Sequence, residues 1–469
     1  MTVKTYIPWV VASALFMEQL DSTIVNTAIP AISQSLGVTP LNLKVIVSSY
    51  ILSLAVSIPI SGWMADRFGT RRVFAIAVAL FTICSIICGL AVNLPMLVGA
   101  RMVQGFSAAL MTPVGRLVII RSFDKNELLK MMNFVIIPAL IGPLLGPTVG
   151  GLIVHYFSWR EIFFINIPFG VIAQYLIYRH MPDYRAEKVP PLDFKGLILF
   201  GSGIGLLSWL LEVFNEHTIS TELVIIASII SLFLITAYVW HAKHIEFPLL
   251  RFSLFKIRTF RIAVIGGFVA RLGIGGMPFL MPLLYQIGLG LSPWKSGLLM
   301  MPLAIAAMFM KFVSTSLLSH FGYRKILIVN TMLIGATIFS FSCVTTSTPI
   351  IFVVMLSFCQ GLFNSLHFSS MNSMAYSDIE AKDSSMATTI ASSLQQMSSS
   401  FGLACASLVA AWYLGDLPQT NHQAFTFALH KAFLTLGSLT ILSAFVFSRL
   451  HPQDGESVSL AKNIHAVHH

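Results

Sequence analysis

Long runs of apolar residues recur along the whole chain and are separated by short polar turns. A helix rises about 1.5 Å per residue, so roughly twenty apolar residues are needed to cross the hydrocarbon core of a bilayer. These runs are too long and too uniformly apolar for the alternating strands of a membrane barrel. The pattern instead predicts fourteen helical spans, near residues 7–30, 44–64, 73–93, 96–120, 131–155, 162–181, 194–214, 222–242, 261–286, 296–319, 326–345, 349–372, 385–412 and 429–449.

The composition is that of an integral membrane protein. Of 469 residues, 56% are hydrophobic and only 10% are charged, and the mean hydropathy is +0.82. Most of the 29 Lys and Arg residues fall in loops on the side of the N-terminus, so the positive-inside rule places both termini in the cytoplasm. This bias accounts for the net charge of +10, and no nucleic-acid partner is expected. The five cysteines lie in predicted spans, where disulfides and structural zinc are not expected.

Two polar segments divide the chain, RHMPDYRAEKVPPLDFK at Arg179–Lys195 and HAKHIEFPLLRFSLFKIRTFR at His241–Arg261. The two spans between them resemble an insertion, because six spans remain on either side. Each half has a short basic turn after its second span, DRFGTRR at 66–72 and HFGYRK at 320–325. This repetition indicates a duplicated six-helix unit, the architecture of alternating-access transporters. The expected domains are a first six-helix bundle at 1–181, a linker with two additional helices at 182–260, a second six-helix bundle at 261–450, and a disordered cytoplasmic tail at 451–469.

Five motifs occur in a fixed order, and together they carry a family resemblance. They are LDSTIVNTAIP at 20–30, GWMADRFGTRR at 62–72, RMVQGFSAALMTP at 101–113, GPLLGPTVGG at 142–151 and WREIFFINIPFG at 159–170. On these residues the chain resembles the major facilitator superfamily over nearly its whole length. Within that superfamily it is similar to the fourteen-span drug:proton antiporter branch typified by EmrB and QacA, and to its MdtD-type members. The resemblance implies two six-helix bundles with two extra central helices.

The resemblance also assigns conformational roles to two of these motifs. The loop at 66–72 would act as a latch, in which Asp66 caps a neighbouring helix and the arginines hold the cytoplasmic side. The Gly-Pro motif in the fifth span would allow close helix approach and a kink, although helix packing alone would also explain it. The residues concerned are Gly62, Asp66, Arg67, Gly69, Arg71, Arg72, Gly142, Pro143, Gly146, Pro147, Gly150 and Gly151.

Two acids, Glu18 and Asp21, interrupt the first apolar run, and one arginine, Arg101, lies in the fourth. An ionisable group at membrane depth costs about 2.5–3.5 kcal/mol on insertion scales, so each is a functional candidate. The helical rise places Asp21 roughly 21 Å along its span and Arg101 at a similar depth from the outer side. If the two spans are neighbours, as the resemblance implies, Asp21 and Arg101 form a proton-coupling group. Glu18, one turn before Asp21, is either a second proton site of this group or an acid that lines the cavity. The alternative is a static ion pair that only stabilises the fold.

Further polar residues in the spans are candidates for a substrate cavity. Gln104 lies one turn from Arg101 and is placed to orient it, while Arg271 lies near the middle of its span. Lys311 either faces the cavity or extends toward the membrane surface. Gln360 and Asn364 form a polar stripe with His367, which is equally suited to a site and to helix–helix hydrogen bonding.

The function expected from these features is a proton-coupled secondary exporter of small molecules or drugs in the bacterial inner membrane. Because cations outnumber acids in the predicted cavity, the alternative is export of an anionic metabolite or a metal-chelating carboxylate. No P-loop is present, and neither catalysis nor a cofactor is expected; the proton is the coupling ion. The expected partners are the substrate, protons and the lipid bilayer, and a periplasmic adaptor is left open. No resident metal site is expected.

Overall fold

The computed structural model of the protein describes residues 6–123, 125–213, 220–380 and 383–454. Residues 455–469 of the predicted tail lie outside this part. Within the described residues all regular elements are helical. The α-helices are α1 (Ile7–Leu36), α2 (Lys44–Phe68), α3 (Thr70–Gly89), α4 (Leu94–Ser122), α5 (Lys125–Tyr156), α6 (Glu161–Phe164), α7 (Asn166–His180), α8 (Phe194–Val213), α9 (Thr221–His244), α10 (Arg258–Ile274), α11 (Met277–Leu283), α12 (Pro293–Phe321), α13 (Tyr323–Ser340), α14 (Ile350–Tyr376), α15 (Ser384–Leu414) and α16 (His422–Phe447).

The predicted membrane fold is confirmed. Over the described ranges, twelve helical stretches are long and apolar enough to cross a membrane. Helix α1, with 30 residues, is long enough but does not belong to that set. In α1 the reason is the polar run Glu18, Gln19 and Asp21, which lowers the mean hydropathy of the helix. The count of fourteen spans therefore stays a prediction.

Helix ends follow local chemistry. The side chain of Asn93 accepts a hydrogen bond of 2.9 Å from the amide of Met96 and so caps α4, whose first turn also contains Pro95. Helix α1 ends at Gly37, which adopts a left-handed φ of 65° that glycine tolerates without strain. These caps fix the end of α1 and the start of α4, the two helices that carry the charged residues of the polar cluster described below.

The repeated basic turns share a backbone conformation. Gly69 joins α2 to α3 with φ 97° and ψ 138°, and Gly322 joins α12 to α13 with φ 75° and ψ 155°. Both angles require glycine, because a Cβ atom disfavours positive φ in this region. The same turn in the same position of each half supports the duplication inferred from the sequence.

The chain divides into two compact units. Unit 1 contains Met1–Glu212, Thr218–Leu249 and Leu291–Leu298, and unit 2 contains Val213–His217, Leu250–Gly290 and Leu299–His469. Helices α8 and α9 thus group with the first bundle, while the four-part division made from the sequence stays a prediction. In unit 1, α1 packs along α5 and α4 packs against α2 and α3; in unit 2, α13 packs against α16, and α10 against α15 and α16.

Candidate functional site

The two charges singled out in α1 and α4 meet inside unit 1. An Nη1–Oδ2 distance of 2.5 Å joins Arg101 to Asp21, and neither side chain is exposed. A charge-assisted hydrogen bond of this kind is stronger than a neutral one, and the low polarity around it increases the attraction. The two opposite charges therefore balance each other inside the helix bundle.

Three neutral polar side chains complete the environment of Asp21. Gln104 accepts a hydrogen bond of 2.7 Å from Arg101 Nη1 and donates one of 3.2 Å to Asp21 Oδ1. Asn166, on α7, donates a second hydrogen bond of 2.7 Å to the same carboxylate oxygen. Ser85, on α3, accepts from both amides, at 2.7 and 3.1 Å. The carboxylate is thus held by donors from two helices, and its charge is distributed through a connected network.

Aromatic rings enclose the guanidinium of Arg101. Its central carbon lies 4.2 Å from the ring centre of Tyr50 and 5.9 Å from that of Phe163. Such cation–π contacts gain strength when the cation is removed from water. The Nε atom donates to the carbonyl of Ile46 at 3.3 Å, while Nη2, which is buried, has no hydrogen-bond partner among the described residues. Arg101 Nη2, like the Tyr50 hydroxyl and Asn166 Oδ1, is therefore available for a different arrangement.

Glu18 occupies a separate position, one turn before Asp21 in α1. It is 4% exposed, and its Oε2 accepts a hydrogen bond of 2.7 Å from Thr112 on α4. Arg116, one turn further along α4, has an exposed side chain. Within unit 1, Asp21 is thus fully enclosed, whereas Glu18, one turn away, lies in a less enclosed environment.

The glycine motif of α5 lies directly against α1 over the segment that carries both acids. Glycines at 142, 146 and 150 recur every four residues and so line one face of α5. A Cβ atom on Gly142 would lie 2.9 Å from the backbone nitrogen of Leu20, and one on Gly150 would lie 2.6 Å from the carbonyl oxygen of Ile24. Small residues are what permit such close helix approach in membranes. The motif therefore sets the position of α1, and with it that of Asp21.

Replacing Gly150 by alanine is expected to push α1 away from α5, lowering stability by about 1–3 kcal/mol, as overpacking typically does. Transport should fall with it, because the polar cluster moves with α1. Gly205→Ala is the matched control, because this glycine also lies within a membrane helix, α8, but a Cβ there meets nothing within 4 Å. Unfolding in detergent and transport should both distinguish the two variants. Equal behaviour would contradict a packing role for the α5 motif.

The basic loop at 66–72 makes different contacts from those expected. Asp66 does not cap the next helix; its Oδ1 pairs with Arg121 of α4 at 2.9 Å. The amide of Arg71, in the first turn of α3, is instead capped by Oδ1 of Asp183 at 3.1 Å. The linker after α7 thus supplies the cap of α3, and capping of another neighbouring helix by Asp66 stays a prediction. Arg67 and Arg72 are exposed.

In unit 2 the predicted cations have no anionic partner. The structure gives Arg271, near the end of α10, no hydrogen bond or ion pair to any described residue, and its side chain is half-buried. Lys311, on α12, is exposed and lies 5.3 Å from the ring centre of Phe368. These charges differ from Arg101, whose charge is balanced internally.

The amide stripe of α14 is oriented toward a neighbouring helix. Gln360 is fully buried and accepts a hydrogen bond from Thr337 of α13. It also donates to Asn364 at 3.4 Å. This is the geometry of interhelical hydrogen bonding, one of the two alternatives for the stripe, and a role in a substrate site stays a prediction.

Comparison with known proteins agrees with this architecture. The sequence model of the Major Facilitator Superfamily matches residues 11–403. The chain belongs to the major facilitator superfamily. A relative named "Putative multidrug resistance protein MdtD" from Enterobacter sp. (strain 638) is 36% identical over 458 residues, covering 97% of this chain and 96% of the relative. The protein of the same name from Klebsiella pneumoniae (strain 342) is 36% identical over 450 residues, covering 95% and 94%.

Solved structures of other major facilitators share the fold. A D-xylose-proton symporter superposes with a TM-score of 0.69 at 16% identity, covering 97% of this chain and 99% of that one. The POT family transporter PepTSo gives a TM-score of 0.71 at 12% identity, covering 96% and 98%. The protein is therefore a multi-pass membrane transporter of small molecules, built on the major facilitator fold.

Proposed function

We propose that the protein is a secondary exporter of the bacterial inner membrane, which moves small molecules or drugs outward in exchange for inward protons by alternating access. The observation that carries this proposal is the enclosed Asp21–Arg101 pair, because a charge pair at this depth is costly and is expected to serve function. The name of the MdtD relatives refers to multidrug resistance, which supports export as the direction of transport.

The Asp21–Arg101 pair can switch between two states, one with Asp21 charged and one with Asp21 protonated. With Asp21 charged, its carboxylate holds Arg101 and Gln104, which ties α1 to α4. Protonation would remove the negative charge and weaken the ion pair, leaving Arg101 to be balanced in a different arrangement. An inward proton also gains about 2.3 kcal/mol per 100 mV of membrane potential, in addition to the pH gradient. Binding and loss of one proton can thus bias α1 and α4 between two arrangements.

Access to Asp21 requires movement, because its side chain is fully enclosed in the arrangement described here. Glu18 is less enclosed and lies one turn away on the same helix face. We assign Glu18 to proton exchange between the surrounding water and Asp21, with Thr112 holding its side chain. The close contact of α1 with the α5 glycines would keep α1 in register while α4 shifts.

The alternative substrate class is an anionic metabolite or a metal-chelating carboxylate. A specific observation favours it: Arg271 and Lys311 have no acidic partner in the described part of unit 2. Lipophilic cations would be repelled by these charges, whereas anions would be attracted. Substrate charge is therefore the variable that the first experiment should resolve.

The test is transport by the full-length protein in proteoliposomes with an imposed pH gradient. An antiporter should concentrate its substrate in the acidic compartment whatever its orientation in the membrane, because protons leave that compartment in exchange. A radiolabelled lipophilic cation and a radiolabelled carboxylate should be compared, with protein-free liposomes and a protonophore as controls. Movement that only equilibrates the substrate, unaffected by the gradient, would refute proton coupling.

A further inference from the structure

The membrane helices of unit 2 carry positive charges but no negative ones. The sequences of α10 to α16 contain no Asp or Glu, although α10 carries Arg271 in its last turn and α12 carries Lys311. By the helical rise, Arg271 lies roughly 20 Å from the start of α10 at Arg258. A cation at this depth is costly unless an anion balances it. No such anion can come from the helices of this bundle.

The guanidinium of Arg271 is positioned by its local backbone. It runs back along α10 over Gly267, where an added Cβ would lie 3.0 Å from Nη1. The Arg271 carbonyl accepts a hydrogen bond of 2.7 Å from Gly275, directly before the break between α10 and α11. Interrupted membrane helices of this kind commonly border binding sites. Gly267, which has no side chain, therefore leaves room for the guanidinium of Arg271. The residue itself lies just before the break between α10 and α11.

A cavity opens at this guanidinium, within unit 2. Besides Arg271 it is lined by two amide side chains, Asn372 of α14 and Gln395 of α15, and by the flexible Met371. Its free volume is about 20 Å³, close to that of one water molecule. The hydrogen-bond capacity of both amide side chains is unused within the described residues. Movement of the Met371 side chain would enlarge the cavity at little cost, because methionine is unbranched and adaptable.

A buried histidine with one unused nitrogen lies one helical turn from the cavity lining. His367, one turn before Met371 on α14, is 3% exposed, and its Nε2 has no hydrogen-bond partner among the described residues. Its other ring nitrogen, Nδ1, is hydrogen-bonded to the hydroxyl of Thr331 at 3.3 Å. Buried polar atoms are normally satisfied, so an unpaired nitrogen one turn from a cavity-lining residue indicates a region where a ligand could complete the bonding.

We propose that this cavity binds one carboxylate group of the transported molecule. The planar fork of Arg271 matches the two oxygens of a carboxylate, and the amides of Asn372 and Gln395 supply neutral donors beside it. The small volume selects a single compact anionic group, with the rest of the molecule outside the cavity. This inference rests on the proposed transport of small molecules and narrows them to carboxylates.

The test is equilibrium binding to the full-length protein in detergent, without any gradient. Acetate, succinate and citrate should bind, and Arg271→Gln should weaken them by roughly tenfold or more, the loss expected for a hydrogen-bonded charge pair. Arg271→Lys should give an intermediate loss, because it keeps the charge but not the fork. Tetraphenylphosphonium, a lipophilic cation, should bind no worse to Arg271→Gln than to the wild type. Inorganic phosphate should bind less well than the carboxylates.

Lys431→Gln is the matched control, since it removes a cation of unit 2 that lies against Phe427 and does not line the cavity. It should leave carboxylate binding unchanged. The proposal is overturned if the wild type binds no carboxylate, if phosphate binds more tightly, or if Lys431→Gln weakens binding as much as Arg271→Gln. Because binding is measured at equilibrium, carboxylate binding without gradient-driven transport would refute proton coupling and still support this site.

Discussion

Asp21→Asn is expected to reduce gradient-driven accumulation of substrate to the level of protein-free liposomes, while exchange of substrate across the membrane is partly retained. Asparagine resembles a permanently protonated aspartate in shape and cannot bind or release the proton. It can still accept a hydrogen bond from Arg101 through its amide oxygen, so the fold should survive. Both activities should be measured on the same reconstituted preparation, with and without the pH gradient.

The control for this variant is Asp416→Asn, the same chemical change at an exposed acid between α15 and α16. It should leave accumulation unchanged. Gel filtration and thermal unfolding of Asp21→Asn establish that the protein is intact. Uphill transport at the wild-type rate in Asp21→Asn would exclude Asp21 as the proton carrier and leave the ion pair with a structural role.

Arg101→Met should be the most destabilising single change in unit 1, lowering the free energy of unfolding by about 3–5 kcal/mol. The variant leaves the Asp21 carboxylate buried without its cation, although Gln104 and Asn166 still donate to it. It also removes the guanidinium from its contact with Tyr50. Unfolding of the purified protein in mixed detergent provides the measurement.

A double-mutant cycle separates the ion pair from general packing. Combining Arg101→Met with Asp21→Asn removes both charges, so the double variant should be more stable than Arg101→Met alone. The coupling between the two positions should be favourable by more than about 1 kcal/mol. Strictly additive losses would show that the 2.5 Å contact contributes little to stability and that the cost lies in packing.

The fold was largely predictable because membrane spans leave a direct record in hydropathy. The exceptions have specific causes. Helix α1 carries Glu18 and Asp21 and so has a weaker apolar signal than its length suggests, and the ninth span breaks at Gly275 and Gly276 into separate helices. Periodicity alone does not show such a break. The capping of α3 by Asp183 was missed because it depends on a linker that is distant in sequence.

The candidate site was predictable only in part. Asp21 and Arg101 were conspicuous because charges are rare in apolar spans, and Gln104 was found through its spacing from Arg101. Asn166 and Ser85 were missed, since small neutral polar residues occur in many membrane helices without functional meaning. Asn166 lies within the motif at 159–170, and its place in this family signature was the one available signal.

By itself, the sequence determined that the protein crosses a membrane many times and carries opposite charges within the long helices α1 and α4. These properties follow from composition and from the rise of a helix, both of which are local. Only the tertiary structure decided that Asp21 is sealed with both oxygens occupied, while Glu18 is less enclosed and Arg271 lies at a cavity without an acid. The reason is that enclosure and pairing depend on which faces of distant helices meet, and glycine contacts such as those between α5 and α1 set that geometry.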